Sequence, residues 1–222
     1  MATVMLHSVP DIDISMNQVA RYAGIKGNDI PDSINALIEK CMPIVKEASK
    51  YKACYLEVPV SQDNDTVDFD YFCVKSKNLS SVLRGCKKAI IVAATIGIEV
   101  DMLIKRAEVT SKAEALILNS IAIASIEEYM FLLNGFFGEQ YSSQKLRPRF
   151  SPGYGDVPLE LQKELLQVLD SKRKIGVALN DSLLMTPSKS VTAIIGIGES
   201  GCIHIDKDCE LCSKHDCEYR LS

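Results

Sequence analysis

The stretch Arg149-Phe150-Ser151-Pro152-Gly153-Tyr154-Gly155-Asp156 combines residue types suited to holding a ligand. An arginine followed by a tight Pro-Gly turn and a tyrosine gives a rigid loop with one fixed cation and exposed backbone. The guanidinium fork of Arg149 can take a carboxylate in two parallel hydrogen bonds. Gly153 lets the main chain approach a ligand closely, and Tyr154 offers an aromatic face. The same residues also read as a helix-linking loop with a surface arginine, and spacing alone leaves both readings open.

A second constellation is the cysteine-rich segment 202–217. Cys202 is followed by Cys209-x2-Cys212 and then Cys217, with His204 and His215 interleaved. A C-x2-C pair points two thiolates at one centre, and two more could complete tetrahedral zinc. Iron–sulfur ligation would need the same residues. With one complete pair rather than two, a metal site and free thiols are equally good readings. Gly196-Ile197-Gly198-Glu199-Ser200-Gly201 matches a dinucleotide-binding pattern, which requires a helix to start there. Residues 202–206 alternate like a strand instead, so a hairpin turn is the better reading. The three histidines, His7, His204 and His215, lie far apart with no Ser-His or Cys-His signature around them.

The elements that must position these residues are read from periodicity. Helices are predicted over 11–27, with Gly24 and Gly27 as stops, and from Pro31 onward, with Asp32 or Ser33 as cap and 46–52 as a solvated tail. The runs 53–60 and 67–74 alternate at period two and predict an antiparallel hairpin joined by a turn over 61–65. A short helix over 80–85 leads to 87–97, a run apolar on both faces that predicts a buried central strand. The stretch 111–134 is the most helical part, apolar nearly all around and therefore surrounded by protein, with Gly135 and Gly138 ending it. A further helix is predicted over about 159–169, with Asp156 as cap and Pro158 in its first turn, then a strand over 190–198. Strands and helices mix without regular alternation, which predicts an α+β fold with a largely antiparallel sheet.

Composition narrows the function classes. The chain has 222 residues, 47% hydrophobic and 24% charged, as expected of one large globular domain. Its net charge is −4, from 25 basic and 29 acidic residues, with no basic stripe, which argues against nucleic acid. The first ten residues lack the cationic start and apolar core of a secretion signal. The apolar runs 89–98 and 115–126 are shorter than the roughly 20 residues of a membrane span. A cytoplasmic chain is expected, in which the eight cysteines are thiols or metal ligands rather than disulfides.

Arg149-Phe150-Ser151-Pro152-Gly153-Tyr154 resembles the R-x-x-P-G-Y loop in the activation domain of cobalamin-dependent methionine synthase. After an intervening helix, residues 174–191 (KIGVALNDSLLMTPSKSV) resemble that family's segment ending in T-E-S-x-x-M-x-P-x-x-S-V. Ser182, Met185, Pro187, Ser190 and Val191 fall on matching positions, while Asn180 and Asp181 replace the family's Thr and Glu. The resemblance covers 147–198.

The resemblance implies a C-shaped α+β domain, a twisted, largely antiparallel sheet with helices packed on it, over about 1–200; the cysteine-rich tail over 201–222 is not part of the family's domain. The resemblance also implies binding of S-adenosylmethionine (AdoMet), with Arg149 on the carboxylate, Pro152 holding the turn, and Gly153 and Tyr154 shaping the pocket. It further implies reactivation of cob(II)alamin by reductive methylation, the electron coming from a flavodoxin-type donor. A basic run, Lys172-Arg173-Lys174, could meet such a donor or be a solvated helix end. The family's full-length enzymes carry homocysteine, folate and cobalamin modules for which this chain has no room. The expectation is a free-standing component acting in trans on a corrinoid-binding methionine synthase subunit or another corrinoid protein. The family's pocket also uses an N-terminal Asp, for which no residue here aligns, and a Glu on the long helix, for which Glu127 and Glu128 both qualify. The tail, with zinc or an iron–sulfur centre at Cys202, Cys209, Cys212 and Cys217, belongs to the competing expectation of an electron-transfer accessory to a corrinoid protein. An assembly subunit without a small ligand is the third.

Overall fold

The computed structural model describes residues 3–25 and 30–199. In chain order its elements are β1 (Met5–Val9), α1 (Met16–Tyr22), α2 (Asp32–Ala48), β2 (Tyr51–Pro59), β3 (Ser61–Asp63), β4 (Thr66–Asp68), β5 (Cys73–Lys75) and α3 (Lys77–Val82). Then come β6 (Cys86–Thr95), α4 (Ile98–Thr110), α5 (Lys112–Gln140), β7 (Lys145–Leu146), α6 (Leu161–Val168), α7 (Ser171–Ile175), β8 (Ala178–Leu179), β9 (Met185–Thr186) and β10 (Ser190–Gly198).

The main sheet runs in the order β1-β2-β6-β10-β7, and every neighbouring pair is antiparallel. Alternation in β6 explains its unbroken apolar run. Ile90, Val92 and Ala94 face the layer of α1, α2, α4 and α5, while Ala89, Ile91 and Ala93 face the opposite core with α6 and Val177. A strand covered on both faces gains from an apolar side chain at every position. Tyr51, Ala53 and Tyr55 of β2 join the first face, and Cys54, Leu56 and Val58 join the second.

The predicted hairpin between 53–60 and 67–74 does not form. Both edges of β2 are taken, by β1 and β6. The second run instead divides into β4 and β5 around Asp70, which sits at φ +67, and its backbone amide donates to Asp68 Oδ1 at 2.9 Å. With β3 these make a separate three-stranded sheet, so part of the expected turn is strand and only Asn64-Asp65 turn the chain. Period-two alternation marks a strand but not its partner. The strand β1 had no reading as a strand: half-buried Met5, His7 and Val9 alternate with exposed Leu6 and Ser8, so hydropathy does not follow its burial.

Helix ends differ from expectation for local reasons. α1 is confined to Met16–Tyr22, and α2 is capped at Pro31 with no side-chain cap bond, Asp32 lying inside its first turn. The expected solvated tail 46–52 ends early, because Tyr51, 1% exposed, already begins β2. α5 starts at Ser111, whose Oγ accepts from the Glu114 amide at 3.3 Å. It runs through Gly135 and Gly138 to Gln140. Each glycine costs about 1 kcal/mol in a helix, which burial of Leu133 and Phe137 offsets. By length and composition α5 could cross a bilayer, but Ile117, Ile121, Ala124, Met130 and Leu133 are buried in this protein's own core.

Gly196 and Gly198 lie within β10, the strand expected over 190–198, and Gly196 pairs with Ala89. A Cβ on Gly196 would lie 2.6 Å from Leu83 and 2.8 Å from Arg147, so close packing excludes a side chain there.

Candidate functional site

The Arg149–Asp156 loop grows out of the edge of the main sheet. After β7, the Arg147 amide donates to the Gly196 carbonyl at 2.8 Å, and Phe150 exchanges both backbone bonds with Ile194, at 2.9 and 2.8 Å. These bonds fix Arg149 between two points of attachment to β10. The chain then turns over Ser151-Pro152-Gly153-Tyr154, with the Tyr154 amide donating to Ser151 at 3.2 Å. Proline presets the first corner and Gly153 takes the second at φ +86, the pattern of a type II turn. The Gly153 amide donates to Val157 and the Val157 amide to Tyr154, both at 3.0 Å, so the loop closes on itself. Pro152 points inward and is buried, whereas Tyr154 is 69% exposed.

Two helices of the first layer face this loop. The Arg149 side chain is only 18% exposed, and its Nη2 lies 3.6 Å from Glu127 Oε2 on α5. The choice that sequence left open between Glu127 and Glu128 is therefore settled as to position: Glu127 is the one against Arg149. From α1, Tyr22 joins the same cluster. Burial pushes its hydroxyl pKa up, the Glu127 carboxylate adds to that, and Arg21 and Arg149 oppose it. Arg21 lies over the Tyr22 ring at 5.1 Å, with its Nη2 3.4 Å from the hydroxyl.

Sequence reading missed this α1 wall. Gln18, Arg21 and Tyr22 stand at i, i+3 and i+4, so they share one helical face. Gln18 Oε1 and Arg21 Nε on it are closed to solvent without a hydrogen-bond partner. A polar face on a helix that otherwise buries Val19 and Ala20 was the available signal. No N-terminal aspartate enters the cluster through any described contact; Asp11 and Asp13 instead pair with Lys46 of α2.

Asp156 does not cap α6. Its carboxylate accepts from the Lys77 amide at 2.8 Å, the Asn78 amide at 3.3 Å and the Ser76 hydroxyl, all at the start of α3. The loop folds back toward α3 before α6 begins, which carries Asp156 away from the helix that follows it in sequence. The start of α6 is instead a tight turn, with the Leu161 amide donating to Pro158 at 3.2 Å.

The remaining candidates lie apart. Lys172 and Arg173 of α7 are exposed, and Arg173 pairs with Asp170 at 2.5 Å. His7 Nδ1 is 3.1 Å from the Tyr129 hydroxyl, between β1 and α5, with no nucleophile beside it among the described contacts. Cavities of about 380 Å³, beside Met16 and Met42, and about 210 Å³, between α2, α4 and α5, touch neither Arg149 nor its loop. Cys202, Cys209, Cys212 and Cys217, with His204 and His215, lie outside the described residues.

No family model matches the chain, and no curated protein matches it in sequence. Solved structures do match. One is the crystal structure of the MetH reactivation domain bound to AdoHcy, with a TM-score of 0.63 and 13% identity, covering 91% of this chain and 80% of that one. The fold is that of the activation domain. At this identity the likeness concerns the fold, and the α+β architecture with helices on an antiparallel sheet is what the two share.

Within the activation-domain fold, Arg149 stands beside the Glu127 carboxylate and near Tyr22, and the same loop goes on to Gly153 and the exposed Tyr154. That set can bind and orient a zwitterion with an aromatic or sugar portion. Among the described contacts it contains no nucleophile paired with a base.

Proposed function

We propose that this chain is a stand-alone AdoMet-binding module that supports reductive methylation of cob(II)alamin held by a cobalamin-dependent methionine synthase or a related corrinoid methyltransferase. The observation that carries this reading is Arg149, on the Pro-Gly-Tyr loop, standing against Glu127 in a fold shared with a reactivation domain solved with AdoHcy. Arg149 takes the ligand carboxylate and Glu127 its ammonium group. Gly153 brings backbone to the ligand, Pro152 sets the turn, and Tyr154 and Tyr22 supply aromatic walls.

AdoMet brings its own activated methyl group on the sulfonium, which with one electron from a flavodoxin-type donor accounts for conversion of cob(II)alamin to methylcobalamin and AdoHcy. The residues here therefore act by fixing the donor where the partner's cobalt can reach it, which is catalysis by proximity. The chain is in that sense a component of a methyltransferase, acting in trans. The exposed Lys172 and Arg173 are a reasonable landing place for an acidic electron donor.

Anaerobic calorimetric titration of AdoMet tests the reading. Saturable binding is expected, and Arg149→Ala should weaken it by about 10- to 150-fold, the equivalent of roughly 1.5–3 kcal/mol for hydrogen bonds to a charged group. Equal affinity in the two proteins would remove Arg149 from the site.

A further inference from the structure

The loop that carries Tyr154 is held at two ends by different parts of the molecule. At its start, Phe150 is paired with Ile194 of β10. At its end, the Asp156 carboxylate sits on the start of α3 through Ser76, Lys77 and Asn78. The Ser76 hydroxyl donates to Asp156 and accepts from the Leu79 amide at 3.0 Å, so it caps α3 and binds the loop at once. Gly155 lies flat against the same place: at φ +55, an added Cβ would be 2.2 Å from Asn78 Nδ2. α3 is itself fastened to the β3–β4 turn, through the Ser76 amide to Asp65 at 2.8 Å and Ser80 Oγ to Asn64 at 2.9 Å.

We propose that Asp156 is a positioning residue for the ligand site: by docking the loop onto α3 it sets where Gly153 and Tyr154 stand relative to Arg149. Arg149 is fixed separately, by the pairing of its neighbours with β10. The site thus depends on two anchors, and only one of them was visible as part of the sheet. An ionised carboxylate suits this place because all three of its partners donate, which an acceptor with two oxygens can satisfy together. The inference rests on the AdoMet reading for its effect on affinity, but the docking itself is testable without any ligand.

The test combines amide hydrogen exchange with a double-mutant cycle on the full chain. In Asp156→Ala, exchange should rise over 151–157 and stay unchanged at Arg147 and Phe150. AdoMet affinity should fall about 3- to 10-fold, a range discounted because the carboxylate is exposed. In a Tyr154→Ala background the same substitution should have a clearly smaller effect, the remainder acting through Gly153, while in Arg149→Ala it should add in full. Asp156→Asn, which keeps the shape and one acceptor, should recover part of the affinity, and Ser76→Ala should reproduce part of the loss should Asp156→Ala fold poorly. Unchanged exchange over 151–157 would overturn the docking. Equal loss of affinity with and without the Tyr154 ring would overturn positioning of that ring. If the wild-type chain binds no AdoMet while exchange still rises, the docking stands and the AdoMet reading is what fails.

Discussion

The two segments that carry the family resemblance, 149–154 and 174–191, use their polar groups in opposite ways. The first ends with Tyr154 in solvent and Arg149 facing two helices. The second satisfies itself. Asn180 Oδ1 accepts from the Ser182 and Leu184 amides, each at 2.9 Å, and closes the β8–β9 turn. Asp101 of α4 takes both the amide and the hydroxyl of Ser188 at 2.6 Å. Ser190, buried, donates its hydroxyl to the Pro187 carbonyl at 2.8 Å and lies 2.9 Å from Thr95 Oγ1. Two stretches equally noticeable as motifs therefore have different work: one presents groups outward, the other closes the end of the sheet beside α4. A residue pattern reports that a segment is constrained, and only its contacts tell whether a ligand or the fold imposes the constraint.

Mutations should separate the two roles, and the largest effect is expected from Arg149→Ala, which should lower AdoMet affinity by the factor given above while shifting the melting temperature little. Next comes a control behind both segments. Gly196→Val forces a side chain into Leu83, Arg147 and Cys86, so it should destabilise by about 1–3 kcal/mol or more, read by chemical denaturation. Asp101→Ala breaks both bonds to Ser188 and should cost about 1 kcal/mol, or about 2–4 °C in melting temperature, with AdoMet affinity unchanged. A loss of affinity without a loss of stability in that variant would erase the contrast between the segments. Asp101 also opposes the effect of burial on Lys189, which pulls that amine's pKa down; its removal should lower the Lys189 pKa further, as measured by NMR titration.

The smallest effect concerns pH. The Ser76 hydroxyl, first, and the Lys77 and Asn78 amides hold the Asp156 carboxyl below its usual range. A depressed folded-state pKa means that the unfolded chain binds the proton more readily. The contribution of Asp156 is therefore complete above the ordinary carboxylate range and is lost as pH falls through the folded value. Exchange over 151–157, corrected for intrinsic rates, should rise in that acid window in the wild type and show no such step in Asp156→Asn.

Much of the framework was legible because local pattern and burial agree. Within β6 the run from Ala89 to Ala94 is apolar at every position and proved to be covered on both faces. The length of α5 was underread because its two glycines look like stops, whereas the core contacts of Leu133 and Phe137 continue beyond the first of them. The partners of β2 were misread because alternation is the same whether a strand pairs with its nearest neighbour in sequence or with one far along the chain. At the site, the Arg-Pro-Gly-Tyr turn formed as its residue types require, with Gly153 at positive φ.

The sequence alone determined the α+β class, the core strand, the long buried helix and the turn that presents Tyr154. Each follows from the period of apolar residues or from the φ preferences of Pro and Gly, which act within a few residues. Only the tertiary structure decided that Glu127 rather than Glu128 meets Arg149, that Tyr22 of α1 joins them, and that Asp156 serves α3 rather than the helix after it. Those contacts join residues from distant parts of the chain, and their geometry is set by how helices and sheet pack together, which no local pattern encodes.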